Sequence, residues 1–248
     1  MAKILLVLLL FVSLSHPAHS QAADTPAAYL TKIQAVIASE CLGTRLVRRL
    51  DSLQAKHIPS RSYVNVNFNR AIDLGFKQYR LAMSLNFYRF QVNLLCRHDT
   101  IFLRTIAWEE NEKYAYQWYN QPVIEQFLQK RNQLYGSAKT ASQLLSDLAA
   151  PIEYAFYCGD GAPKTERGAA IERLVAKRKY AELLAMLQSF NCENQAYGVA
   201  GLRLLQQRGY QLPSAVQALI EHIKARNSEL LTCSGCLSGL VEKIYAQP

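Results

Sequence analysis

The sequence predicts an α+β protein, with an N-terminal helix and a small antiparallel β-sheet followed by a mostly α-helical C-terminal half. Three observations carry this. Apolar residues recur at spacings of three and four between Ala27 and His57. They alternate with polar residues from Tyr63 to Trp108. Helical spacing then returns at Gln121 and continues to the end of the chain. The first and third patterns mark helices with one apolar face, and the second marks strands.

Tyr29, Leu30, Ile33, Val36 and Ile37 share one helical face. Gly43 breaks the helix, Leu46, Val47 and Leu50 resume it, and Pro59 closes the stretch. In the next segment Val64, Val66 and Phe68 alternate with asparagines. Tyr79, Leu81, Met83, Leu85 and Phe87 then alternate with Arg80, Ala82, Ser84 and Asn86. The apolar phase slips by one at Phe90, Val92, Leu94 and Cys96. Such a slip moves side chains to the other face, so a turn or bulge is expected near Asn86–Tyr88. His98-Asp99-Thr100 reads as a hairpin turn before a last strand, Ile101 to Trp108. The alternation argues for an antiparallel sheet with one buried face, and a long amphipathic helix competes with it. Beyond Gln121 the expected helices are 123–135, 140–156, 165–176, 180–190, 193–207, 214–226 and 237–245. Pro122 and Pro151 fall near starts or kinks, and Gly136, Gly209 and Asn227 near ends.

The first residues set the expected compartment. Lys3 precedes an unbroken apolar run from Ile4 to Val12, followed by Ala18-His19-Ser20. This is the build of a secretory leader, cleaved near Ser20 or Ala22. The run is shorter than the ~20 residues needed to span a bilayer, and no later stretch is longer. The expected organisation is a signal peptide over 1–22, a helix-plus-sheet region over 23–119 and a helical region over 120–248. Half the residues are hydrophobic, enough for a sizeable core. Lys and Arg number 28 against 19 acidic residues, giving a net charge of +9. That balance suits a basic exported protein or attraction to a polyanion. The basic residues are scattered and no nucleic-acid motif accompanies them, so nucleic acid is not an expected partner.

Leu183 to Leu187, Ser189 to Glu193 and Ala196 to Leu202 resemble a HEAT/armadillo-type helical pair: two helices, a short turn carrying an asparagine (Asn191), and small residues on the second helix. The resemblance covers Lys179 to Gly209, about one repeat. It implies a surface for binding partners and carries no catalytic residues. The chain as a whole also resembles an uncharacterised secreted bacterial family.

Six cysteines, Cys41, Cys96, Cys158, Cys192, Cys233 and Cys236, are an even set that favours pairing in an exported chain. Neighbourhood in the sequence suggests Cys41–Cys96, Cys158–Cys192 and Cys233–Cys236. Cys233-Ser234-Gly235-Cys236 also has the spacing of a redox pair, with Cys233 as nucleophile and Cys236 as resolving thiol. No strand signal precedes it, so a structural bridge is the expectation. A metal site there would need two more ligands, and His222 stands alone nearby.

Other chemistries lack their motifs. There is no His-Glu-x-x-His, no Gly-x-Ser-x-Gly, no phosphate loop and no dinucleotide fingerprint. Gly159-Asp160-Gly161 reads as a helix connector. Glu109, Glu110 and Glu112 are the densest acidic cluster and read as a solvated turn or an acid–base group. His98 beside Asp99 reads as exposed. Trp108, Tyr114, Tyr116, Trp118 and Tyr119 are crowded together as core packing or a stacking platform. The function expected from the sequence is therefore a periplasmic or extracellular non-enzymatic binding or scaffold protein. It would use the helical array and aromatic cluster against another protein or an envelope polymer, without cofactor or metal. The runner-up is thiol–disulfide exchange at Cys233 and Cys236.

Overall fold

Alternation of apolar residues across consecutive segments produces the strands of a meander, in which each strand pairs with the next along the chain. A computed structural model describes residues 25–39, 44–56, 65–86, 88–108 and 114–245. The leader, Cys41, His57, Glu109, Glu110 and Glu112 lie outside these residues, as does the side chain of Tyr114. Helices α1 (Pro26–Ser39) and α2 (Thr44–Ala55) precede strands β1 (Asn65–Asp73), β2 (Phe76–Leu85), β3 (Tyr88–Arg97), β4 (Thr100–Trp108) and β5 (Tyr114–Tyr119). Helices α3 (Gln121–Tyr135), α4 (Ala141–Ala149), α5 (Glu166–Ala176), α6 (Tyr180–Leu187), α7 (Cys192–Gln207) and α8 (Ser214–Arg226) follow. A hairpin of β6 (Leu230–Ser234) and β7 (Leu237–Glu242) closes the described chain. The protein is thus mixed α and β.

The large sheet is antiparallel in the order β1-β2-β3-β4-β5. Leu74 and Gly75 turn β1 into β2, and His98 and Asp99 turn β3 into β4. All four have φ between 48° and 78°, the backbone of the tight turns whose twist matches a hairpin. The slip expected near Asn86–Tyr88 falls where β2 and β3 form a hairpin, with Leu85 paired to Tyr88. Met83 pairs with Phe90, Leu81 with Val92 and Tyr79 with Leu94, so the shifted set returns to the same face.

That face packs on the first two helices. Leu81, Met83, Leu85, Phe90, Val92, Leu94 and Ile106 meet Tyr29, Ile33 and Ile37 of α1 and Leu46 and Leu50 of α2. The expectation of a single buried face is corrected here, because the opposite face is covered too. There Ile72, Phe76, Leu95 and Leu103 pack on Ile124, Phe127 and Leu128 of α3, Leu144 and Leu148 of α4, and Phe190. Arg80 and Asn93, read from the alternation as the polar side, are 2% and 0% exposed.

The helices start and stop where side chains satisfy the backbone. Asn120 caps α3 by accepting from the Val123 amide, and Gly136 ends it in the left-handed conformation. Thr140 and Gln143 form a capping box on α4. The expected helix over 140–156 ends at Ala149, because Pro151 excludes the residue before it from helical backbone. The expected helix over 237–245 is corrected to strand β7. Leu237, Leu240, Val241 and Ile244 have helical spacing, but Leu231 pairs with Val241 and Thr232 with Leu240 in a hairpin. The same hairpin supplies the strand before Cys233 that the sequence did not show.

Helices α6 and α7 meet at very short range. A Cβ added at Gly198 would stand 2.5 Å from the Leu187 amide nitrogen and 2.8 Å from its Cα, both backbone atoms that cannot move aside. Substituting Gly198→Ala should therefore cost about 1–3 kcal/mol by overpacking. Urea denaturation checks this: the midpoint should fall with an unchanged slope, and an unchanged midpoint would refute such close packing.

Candidate functional site

Two places gather chemistry. The first is a buried ionic layer between the sheet and the helices, which sequence reasoning missed. Arg70 on β1 makes a two-pronged ion pair with Glu193 in the first turn of α7. Its Nη2 donates to Oε2 at 3.0 Å and its Nη1 to Oε1, and the side chains are 0% and 1% exposed. Arg70 Nε donates to Gln78 Oε1 at 3.1 Å, and its guanidinium lies 3.9 Å from the Phe68 ring centre. Arg80 donates through Nη2 to the carbonyls of Leu148 and Ala150 at 2.8 and 3.0 Å, and through Nε to Asn93 at 3.1 Å. These carbonyls belong to the end of α4, where orphan acceptors need donors.

Asp73 forms the other end of this layer. Its carboxylate accepts from Tyr135 Oη at 2.8 Å and Arg131 Nε at 3.3 Å, and pairs with Arg226 Nη1 at 3.0 Å. His222 Nε2 stands 2.8 Å from the second oxygen. Arg226 also donates to the Ile72 carbonyl and to Gln195 Oε1. Burial alone would raise the Asp73 pKa, but the His222 hydrogen bond and the charges of Arg226 and Arg131 bring it below the ordinary carboxylate value. Tyr135, by contrast, is pushed up to about 12, chiefly by burial. The His222 side chain is 39% exposed and Asp73 is 0% exposed, so the imidazole is the group's most exposed member among the described residues. The sequence marks of this layer were the arginines, glutamine and asparagine at alternate strand positions, a pattern that solvated faces share.

The second place is the aromatic cluster. Register puts Trp118 opposite Arg104 and Tyr116 opposite Ile106. Trp108 is opposite Phe90. These three aromatics therefore share the face that carries α1 and α2, while Tyr119 packs on the opposite core. Trp108 packs edge-on against Tyr88. The Arg104 guanidinium lies 4.5 Å from the Trp118 ring centre and 5.6 Å from that of Tyr116, a ladder of ring, cation and ring. Trp118 is 38% exposed. Strand β5 is the last of the five, so this ladder stands at the sheet's edge.

The cysteines require a correction. Cys158 is bonded to Cys233, with Cα atoms 5.6 Å apart, in place of the expected Cys158–Cys192 and Cys233–Cys236 bridges. Cys192 and Cys96 are free and buried, and Cys236 is free and exposed. Burial, with Asp99 beside it, pushes the Cys96 thiol pKa upward. The reason for the different pairing is topological. Tyr154 bridges Thr232 in parallel, and its amide donates to the Leu231 carbonyl at 2.8 Å, which lays 154–158 alongside β6. Closing a separation of 75 residues restricts the unfolded chain by about 4–5 kcal/mol on the loop-entropy account. Among the described residues no group of three or more His, Cys, Asp or Glu side chains is placed to hold a metal. No helix there is long and apolar enough to cross a membrane. Comparison with known protein families, characterised proteins and solved structures gives no match.

The Asp73 carboxylate gives a pH dependence of known sign. Its pKa is lower folded than unfolded, so its contribution is complete above the unfolded value of about 3.9 and is lost as pH falls through the folded value. Asp73→Asn leaves Arg131 and Arg226 buried without their counter-charge and should cost roughly 3–5 kcal/mol. Urea midpoints measured from neutral pH downward should show an acid decline in the natural chain that is shallower in the variant. His222→Ala, at the exposed side of the cluster, should retain the fold and move the acid limb to higher pH. An unmoved limb in both variants would refute the assignment.

Proposed function

We propose that the chain is an exported, disulfide-stabilised binding protein that engages another protein through the Tyr116–Arg104–Trp118 ladder, with the helical half as its scaffold. The carrying observation is that ladder: a large aromatic ring left exposed on a strand at the sheet's edge and seated on a guanidinium. Tryptophan, tyrosine and arginine are the side chains that most often dominate binding energy, since their apolar area is large and their polar parts still reach a partner. Export rests on the leader pattern of Lys3 to Ser20, and the Cys158–Cys233 bond accords with an oxidising compartment. Binding is favoured over catalysis because the carboxylates of Asp73 and Glu193 are buried and engaged by arginines. The α6–α7 pair, with Asn191 capping the second helix and Gly198 against Leu187, supports the HEAT-like reading of this part. The net charge of +9 favours a partner with an acidic surface.

The test uses the full chain with a C-terminal tag, expressed in a bacterium and cross-linked in living cells. A discrete protein adduct should be recovered from the extracytoplasmic fraction. Trp118→Ala and Arg104→Ala should each lower its yield about tenfold, the loss of a hot-spot contact, without changing the chain's thermal midpoint. Undiminished adduct in both variants, or recovery of the chain from cytosol with its leader attached, would overturn the proposal.

A further inference from the structure

Three of the six sulfurs are gathered at the C-terminal hairpin. Cys233 lies near the end of β6 and is bonded to Cys158. Cys236 lies in the turn to β7, three residues on, where Gly235 adopts a φ of 57°. The Gly159 amide donates to the Gly235 carbonyl at 2.7 Å. The chain neighbours of Cys158 and Cys236 are therefore hydrogen-bonded to each other, so the two segments that carry these cysteines meet beside the existing bridge. Cys236 is exposed, Cys158 is half-buried and Cys233 is buried. Cys158 and Cys233 line an open cleft of about 390 Å³, shared with Pro151, Glu153, Thr165 and Tyr197. The bridge thus borders an open cleft, and Cys158 is its more exposed residue.

The backbone here can give. A two-stranded hairpin is marginal on its own, and β7 is exposed except at the half-buried Leu240, with Leu237 at 63%. The hairpin is held at its base by the Tyr154–Leu231 and Glu193–Leu231 hydrogen bonds and from the side by Glu153, which accepts from Ser238 Oγ and the Gly239 amide. The tip beyond Cys233 is held by the Gly159–Gly235 contact and by the disulfide itself.

We propose that Cys236, Cys158 and Cys233 form a thiol–disulfide exchange site in which Cys236 is the nucleophile and the Cys158 sulfur is its target. The Cys236 thiol gives its proton to solvent. Its thiolate lone pair forms a bond to Cys158 Sγ as the Cys158–Cys233 bond breaks, and the bonding pair leaves on Cys233, which takes up a proton. One disulfide replaces another with no net oxidation, so no external oxidant or reductant is consumed. The roles differ from those read off the Cys-x-x-Cys spacing, since Cys233 is the leaving thiol. The inference is independent of the binding reading, because its chemistry lies wholly within this chain.

The experiment uses the purified oxidised full chain, incubated at several pH values and trapped with excess N-ethylmaleimide in mildly acidic denaturant. Proteolysis and mass mapping then locate each sulfur. The expected products are the original Cys158–Cys233 peptide and a Cys158–Cys236 peptide with the maleimide on Cys233. The rate of conversion should rise with pH, because the attacking species is a thiolate. Cys236→Ser, at an exposed position, should keep the fold by circular dichroism and show no maleimide on Cys233 at any pH. The proposal is overturned if Cys233 stays bonded to Cys158 in every natural-chain sample. It is equally overturned if the maleimide appears on Cys158 instead, or if the serine variant labels Cys233 as fast as the natural chain.

Discussion

The carboxylate of Asp73 sits fully buried at the end of β1, and the groups that hold it come from two separate helices. Arg131 and Tyr135 reach it from α3, and His222 and Arg226 from α8. Apolar surfaces resist separation but tolerate sliding, because burial energy depends on area and hardly on direction. A charge out of water does not tolerate sliding. Its compensation is lost within an ångström or two, and the penalty for an unpaired buried ion is several kcal/mol. Asp73 therefore fixes where the sheet meets the helices. Glu193 does the same at the other end of the layer, taking Arg70 from β1 and the Leu231 amide from β6. Between these anchors the guanidinium of Arg80 closes the open end of α4. The ends of α3, α4, α7 and α8 are thereby referred to one surface of one sheet.

The hydrophobic period carried most of the element order. Helix α8 spans Ser214–Arg226, as its spacing and Asn227 at its end suggest. The hairpin turn at His98 and Asp99 was visible as polar residues between two alternating runs. The period failed where two readings fit the same residues. Leu237, Leu240 and Val241 suit a helix face, yet long-range pairing with β6 decides their conformation. Tyr114, Tyr116 and Trp118 alternate and form β5, but rings so crowded fit core packing or a stacking platform as well as a strand period. Buried polarity was illegible for a different reason. Arginine at an alternate strand position signals a wet face unless a carboxylate far along the chain is brought to it, and Glu193 is 123 residues from Arg70. Nothing in local sequence encodes that meeting.

The aromatic cluster shows how partial legibility works at a site. Composition revealed the rings, and the strand register sorted them. Trp108, Tyr116 and Trp118 point to one face and Tyr119 to the other, as the two-residue period requires. Arg104 could not be chosen from the sequence, because its relation to Trp118 is cross-strand. Pairing converts two ordinary residues into one ordered unit, with the guanidinium of one strand seated on the indole of the next.

Cysteine pairing in this chain follows the same logic of distant registration. Neighbourhood in sequence favours Cys233–Cys236, but a bridge across a two-residue turn closes so short a loop that it removes little freedom from the unfolded chain. The bond between Cys158 and Cys233 joins two segments that already run side by side, held by the Tyr154–Leu231 and Gly159–Gly235 hydrogen bonds. It secures the outermost hairpin to the helical core, where burial alone gives little. Cys96 and Cys192 lie inside the packing and behave as small hydrophobes. The one described cysteine left both free and exposed stands at the tip that the bond secures. Position within the fold thus divides chemically identical side chains into buried packing, a staple and an exposed free thiol.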